Sequence, residues 1–460
     1  MNPWTDVKAD GVTTAAIATV TLSDVSVTGN YNALVLLNNN VDATTKKVKL
    51  PATTETYKDW SKNASKVDAD KYVSIDGIFM ANAPMYSATS EPTTLVKIKN
   101  VCASPEEAQA KAATVVYVER GLAKVTMQNF ADDGYDIADG TYEGGKVEIK
   151  NWQLDVTNMS TFPVHQTGTL KDSWAEIWNT PRFYDQTSTA FKRVYWGVDP
   201  NYDNSDYQTL ANCKTAFNMI TKDKVVGEAG NAHPQYCLEN TFDLNNMKQG
   251  QTTRVVFKAV FTPKDFTTGQ TFYKIGNNTA IWDATKLAQQ IHTVAVTAMG
   301  ITDAAEQENY VVKLDASTNN ISGTAGLHTI TAANIEYKGT GTSLVAANID
   351  KINEKLGLKE TGISTYLNGE AYYIARIKHF NELTPWTAGE GYGTANDKYL
   401  GRYGVLRNNW YDLSVNSISG LGYPDIPEVK PNVPDDENEQ YINVEVKILD
   451  WAKRSQSVVL

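Results

Sequence analysis

The last twenty residues, Tyr441 to Leu460, constrain the fold of this chain more than any other stretch. Ile442, Val444, Val446 and Ile448 alternate with Asn443, Glu445 and Lys447, the period-two pattern of a strand with one buried face. Trp451 follows as an apolar anchor, and the chain closes on Val458, Val459 and Leu460. Just upstream, residues 427–440 are rich in proline and acid, which predicts an extended, solvated, semi-rigid spacer. At about 3.1 Å per residue its fourteen residues reach roughly 40 Å, about the width of a domain. A strand carried on a spacer points to pairing with another molecule. A last strand folding back on its own sheet has the same pattern, and the sequence leaves both placements open.

A chain of 460 residues has room for two or three domains at about 150 residues each. With 42% hydrophobic residues it can build a sizeable core. Its 24 Tyr against 8 Met, with frequent Thr and Val, favour β-structure. The formal charge of −11 and the lack of any run of five basic residues argue against a nucleic-acid partner, because phosphate binding needs clustered Lys and Arg. The apolar run Ala33 to Leu37 is far too short to cross a bilayer, so the protein is not expected to be transmembrane. Cys102, Cys213 and Cys237 form no C-x-x-C; a Cys213–Cys237 bridge is one option and small buried thiols the other. The opening Met-Asn-Pro-Trp lacks signal-peptide character, which leaves a cytosolic protein and a processed exported one both open.

Before residue 128 the chain reads as short strands between polar loops: Ile17 to Val27, Tyr31 to Leu37 and Tyr72 to Met80. Ser104-Pro-Glu-Glu107 is a helix start, with a capping serine, proline in the first turn and glutamate at the capping-box position. The Asp/Gly/Glu loop from Ala131 to Gly145 marks a domain boundary near residue 140. A second β-rich region follows, with strands at Val147–Val156, Arg193–Val198, Thr253–Phe261, Tyr310–Leu314, Tyr372–Phe380 and Trp410–Ile418. Asp283 caps a predicted helix through Gln290; a second helix spans Ser343 to Leu356, with Gly357 placed to end it.

Catalytic constellations are scarce: there is no H-E-x-x-H, G-x-S-x-G or P-loop, and no cofactor is expected. Gly389 to Gly393 is glycine-rich without dinucleotide spacing and reads as a loop. The five histidines show no ligand spacing; His379, inside a predicted strand, reads as a satisfied structural histidine. Asp199, Asn201 and Asp203 place oxygens at alternate positions, like the start of a calcium loop. Asn204 stands where such a loop needs glycine and Leu210 where it needs a bidentate acid, so an Asx turn is preferred to a metal site. The acids Asp435, Asp436, Glu437 and Glu439 read as solvating. Distant paired carboxylates, as a glycosidase would use, leave no sequence signal.

Several stretches together resemble the fimbrillin family of Bacteroidales, the major subunits of type V pili, and most of all its short-fimbria branch. Val118-Glu119-Arg120 with Ala123-Lys124-Val125 is similar to the family's strand closing the first domain, and Trp152 to Asn158 to the segment opening the second. Arg193 to Trp196 with Asp199, Asn201 and Tyr202, Tyr236 to Asn240, Tyr366 to Gly369 and Ile377 to Phe380 also resemble it. The most specific likeness is Gly401 to Ile418, with Arg407-Asn408-Asn409-Trp410-Tyr411 at its centre, followed by Val444 to Trp451.

The resemblance implies a mainly β fold: two transthyretin-like β-sandwich domains with a few short helices and a C-terminal donor-strand tail. On that reading residues 1–140 form the N-terminal sandwich, 141–426 the C-terminal one, 427–440 the spacer and 441–460 the donor strand. It also implies no catalytic activity, export to the outer membrane as a lipoprotein precursor whose signal is not among these residues, and polymerisation by donor-strand exchange. Ile442, Val444, Val446, Ile448 and Trp451 are then the polymerisation residues. The partners are other copies of the chain and accessory fimbrial subunits. Four buried β-branched residues at about 1.5–3 kcal/mol each would contribute roughly 6–12 kcal/mol before ordering costs. The alternative is a tip or accessory adhesin, with the aromatic-rich segment Trp174 to Trp196 as a glycan-stacking surface. A β-sandwich hydrolase is a third, distant reading.

Overall fold

A computed structural model of the chain describes residues 5–6, 14–15, 19–38, 50–74, 77–173, 184, 186, 192–276, 278–314, 328–358, 362–379, 401–435 and 442–450. The fold is mainly β. The strands that build its main core are, along the chain, β1 (Ala123–Met127), β2 (Tyr135–Asp136), β3 (Lys146–Asp155), β4 (Gln235–Cys237) and β5 (Arg254–Thr262). The pair β6 (Phe272–Ile275) and β7 (Ile363–Tyr366) comes next, followed by β8 (Glu370–Arg376), β9 (Asn409–Ile418) and β10 (Ile442–Asp450).

Two four-stranded sheets share this core. One has the order β4-β1-β9-β10, the other β2-β3-β5-β8. Every neighbour pair is antiparallel except β1 and β9, which run parallel. Val125, Met127, Tyr411 and Leu413 from the first sheet meet Val147, Trp152, Phe257 and Tyr373 from the second, all of them fully enclosed. From Lys146 to Ile149 and again from Asn151 to Leu154, β3 alternates between one buried and one wetter face, as period-two patterning requires. Its register slips between Ile149 and Asn151, and the bulge lets the strand continue with Trp152 inward. Residues on both sides of position 140, where the sequence expects a domain boundary, contribute to this core.

Strands β6 and β7 pair with each other and form the neck of an insert with a core of its own. That core is built on two helices, α1 (Ala284–Met299) and α2 (Val345–Lys355). Asp283 caps α1 as predicted, its carboxylate accepting from the Lys286 N–H. The helix runs nine residues past the predicted Gln290, because Leu287, Ile291, Ala295 and Ala298 keep one face apolar until Gly300, at φ 75°, ends it. The second helix matches its predicted span to within two residues at each end.

The N-terminal part forms smaller sheets, including a three-stranded one of Leu36–Leu37, Met80–Asn82 and Val118–Arg120. The expected strand Ile17–Val27 is not formed over its described part, 19–27; Val20, Leu22 and Val27 are exposed. No strand among the described residues pairs with it, and an alternating segment becomes a strand only against an available edge. Arg193–Val198, predicted as a strand, supplies only isolated bridges at Arg193 and Val194. No helix among the described residues is long and apolar enough to cross a membrane.

Candidate functional site

The tail that dominates the sequence is β10, and it lies at the edge of the first sheet, hydrogen-bonded along nearly all of β9. Register places Ile448 opposite Tyr411, Val446 opposite Leu413, Val444 opposite Val415 and Ile442 opposite Ile418. Directly opposed residues of an antiparallel pair share a sheet face. Val415, opposite Val444, packs against the main core. Val444 is buried in that core, whereas Lys447, opposite Asp412, is exposed. Of the two placements the sequence left open, this single chain takes the pairing with its own sheet. Trp451 and residues 436–441 lie outside the described residues.

The approach to β10 differs from the sequence expectation. Residues 427–435, the described part of the expected solvated spacer, are seated on the body. The Pro427 carbonyl accepts from Arg254 Nη2 at 2.8 Å, and Val429 is buried among Val156, Tyr207, Cys213 and Phe217. The Asn432 amide donates to the Gln208 carbonyl at 3.0 Å, and the Gln249 N–H donates to the Val433 carbonyl at 3.0 Å. Asp435, expected to be solvating, is 0% exposed; its Oδ2 accepts from Thr252 Oγ1 at 2.9 Å and its N–H donates to the Met247 carbonyl. Gly250 permits this close approach, since a Cβ there would stand 3.0 Å from Pro431 Cα and 2.8 Å from Cys213 Sγ. Composition predicted water because it averages over the segment. The partners that bury it, from Val156 to Arg254, come from far earlier in the chain.

Beneath the start of β9 lies a buried ionic cluster that the sequence did not reveal as one. Glu119 accepts from Arg193 Nε at 3.2 Å and pairs with His165 Nδ1 at 2.7 Å. Arg193 Nη2 also donates to the Arg407 carbonyl at 2.7 Å, and Arg407 Nε donates to Glu239 at 3.1 Å. Burial alone would raise the Glu119 carboxyl, but His165, Arg193 and Arg407 together hold it below its ordinary value. Asn408 sits at φ 60°, a left-handed geometry that asparagine tolerates, and its side-chain oxygen accepts from the Arg120 N–H. Tyr411 extends the cluster, its hydroxyl accepting from the Leu406 N–H and pairing with His379 Nδ1 at 2.8 Å. Burial pushes His379 down to about 3, so it is the neutral, hydrogen-bonded structural histidine its sequence context predicts. In the sequence Glu119, Glu239 and Arg407 each follow directly on an apolar residue, Val118, Leu238 and Leu406, a signal too common to mark a cluster.

The three residues of the calcium-loop candidate sit in different surroundings. Asp199 is buried and spends its carboxylate on the loop, accepting from Asn201 N at 2.6 Å, Thr241 N at 2.7 Å and Asn158 Nδ2 at 2.6 Å. Burial pushes it up to about 7 against these three donors. The side-chain oxygen of Asn201 accepts from Tyr207, and Asp203 is exposed. Among the described residues no group of three or more His, Cys, Asp or Glu is placed to hold a metal. Cys213 and Cys237 are free buried thiols in different core clusters, so they do not bridge. Of the aromatic segment, Trp196 is packed in a core with Leu170 and Leu406; Trp174 lies outside the described residues.

The described residues thus form a mainly β body with its last strand at a sheet edge and a buried ionic cluster under the start of β9. Residues 364–457, spanning β8, β9 and β10, match the family described as major fimbrial subunit protein type IV, fimbrillin, C-terminal. This C-terminal stretch is thus similar to the family that the sequence motifs resemble. No curated protein sequence matches it significantly. Similar solved structures include a fimbrilin from Porphyromonas gingivalis W83, with 11% identity and TM-score 0.32, covering 92% of this chain and 80% of that one. A candidate cell adhesion protein from Parabacteroides distasonis ATCC 8503 has 12% identity and TM-score 0.36, covering 92% and 84%. Another from Bacteroides eggerthii DSM 20697 has 10% identity and TM-score 0.33, covering 91% and 77%.

Proposed function

We propose that this protein is a structural subunit of a cell-surface fimbrium, and that it polymerises by moving β10 from its own sheet into an incomplete sheet of the next copy. One observation supports the reading most: among the described residues β10 is an edge strand, and the match to fimbrial subunits runs through it. An edge strand has a neighbour on one side only, so its release breaks a single ladder. A receiving edge then restores a ladder and a set of apolar pockets of the same kind. Exchange of identical elements between copies is thermodynamically cheap, because the ladder broken in one copy is rebuilt with like residues in the next. The role asks for no catalytic group and no cofactor. Its partners are copies of the same chain, with accessory subunits at the ends of the fibre.

Deletion of residues 441–460 tests this. The shortened protein should remain a folded monomer by circular dichroism, with lowered stability because Val444 no longer covers the core, and should form no filaments under electron microscopy. Filaments of normal length from the shortened protein would refute the proposal. The adhesin alternative loses Trp196, which is enclosed, from its glycan surface.

A further inference from the structure

We infer that the strap 427–435 stays fixed to the body while the tail is exchanged, so that Asp435 is the pivot of the moving part. The inference rests on the exchange reading above and adds where the exchange begins. The strap is held at both ends and in the middle. At its start the Pro427 carbonyl is bound by Arg254, which is itself locked by a 2.8 Å ion pair to buried Asp155. Midway, Val429 fills a cluster with Tyr207 and Phe217. At its end Asp435 is enclosed and bonded through both its side chain and its N–H. Unseating it would leave the Arg254 guanidinium and the Asp435 pocket short of partners inside the protein, a cost that unpaired buried polar groups make large. Releasing β10 breaks an edge ladder that water can satisfy on the open side. The weaker attachment therefore gives way first, and it lies beyond Asp435.

The consequence is a short leash. From Asp435 to Ile442 there are seven residue steps, which extend to about 25 Å at most, instead of the roughly 40 Å a free spacer would reach. A neighbour's receiving edge has to come that close to Asp435. The short tether also raises the effective concentration of β10 over its own sheet, so a lone subunit stays closed until a neighbour arrives.

Two reversible locks on the full chain, in a Cys102→Ser background, test this. Ser414→Cys with Glu445→Cys, opposed on β9 and β10, ties the tail to its own sheet. Lys248→Cys with Pro434→Cys, opposed across the bridge between body and strap, ties the strap down. Each is oxidised, checked for fold by circular dichroism, and scored for filaments by electron microscopy before and after reduction. The tail lock should abolish filaments and reduction should restore them. The strap lock should leave filaments unchanged. Loss of filaments under the strap lock, restored by reduction, overturns the pivot while leaving tail exchange standing. Filaments under an intact tail lock overturn the exchange itself, and the pivot with it.

Discussion

Two segments of this chain carry the same alternating signature and meet opposite fates. Residues 442–450 become a nine-residue strand on β9, while Val20, Leu22 and Val27 stand exposed in a stretch with no strand. The difference lies in what each finds beside it. The tail meets an edge whose own geometry is fixed from below: Arg407 is held by Glu239, Asn408 by Arg120, Asn409 by Arg193, which pairs with Glu119, and Tyr411 by His379. The early segment meets no edge among the described residues. Alternation states a capacity to pair, and the edge decides whether the capacity is used.

The comparison breaks most severely if the support under β9 is removed. Arg407→Ala leaves the Glu239 carboxylate buried without its cation and should cost about 3–5 kcal/mol, read as a large loss in denaturant midpoint. Leu413→Ala opens a cavity in the row that receives β10 and should cost about 2–5 kcal/mol by the same measurement. Acid acts on the cluster too. Glu119 is held below its ordinary value of 4.5, so the unfolded chain takes up its proton first as pH falls. The stability it contributes is complete above pH 4.5 and drains away as pH drops through the lower folded value. A melting-temperature profile from pH 7 downward should show that decline, and Glu119→Gln, destabilised throughout, should show less of it. Val444→Ala trims the one described apolar side chain by which the edge strand enters the core and should cost about 1–2 kcal/mol, with a steeper effect on filament yield than on the monomer. Val20→Ser should change monomer stability by less than about 0.5 kcal/mol; a larger loss would mean that the early segment is packed after all.

What the sequence disclosed was local. Asp283 and Gly300 bracket α1, Gly357 follows α2, and the patterns of β3, β5, β9 and β10 give their spans within a residue or two, because caps and side-chain periods act over a few positions. What it concealed was pairing across distance. The cluster joining Glu119, His165, Arg193, Glu239 and Arg407 draws on five separate stretches, and each residue alone looks like an ordinary surface charge. The resemblance had already singled out four of those stretches; their meeting point shows that they share one structural task. Likewise the burial of Asp435 depends on Thr252, and no reading of an acidic run anticipates so remote a partner.

Electron cryomicroscopy of assembled filaments tests the central claim most directly, by following the chain out of Asp435. Tail exchange predicts that residues 442–450 lie in a sheet of the adjoining subunit, with residues 427–435 still on their own. Filaments in which 442–450 remain on their own β9, joined through other surfaces, would contradict it.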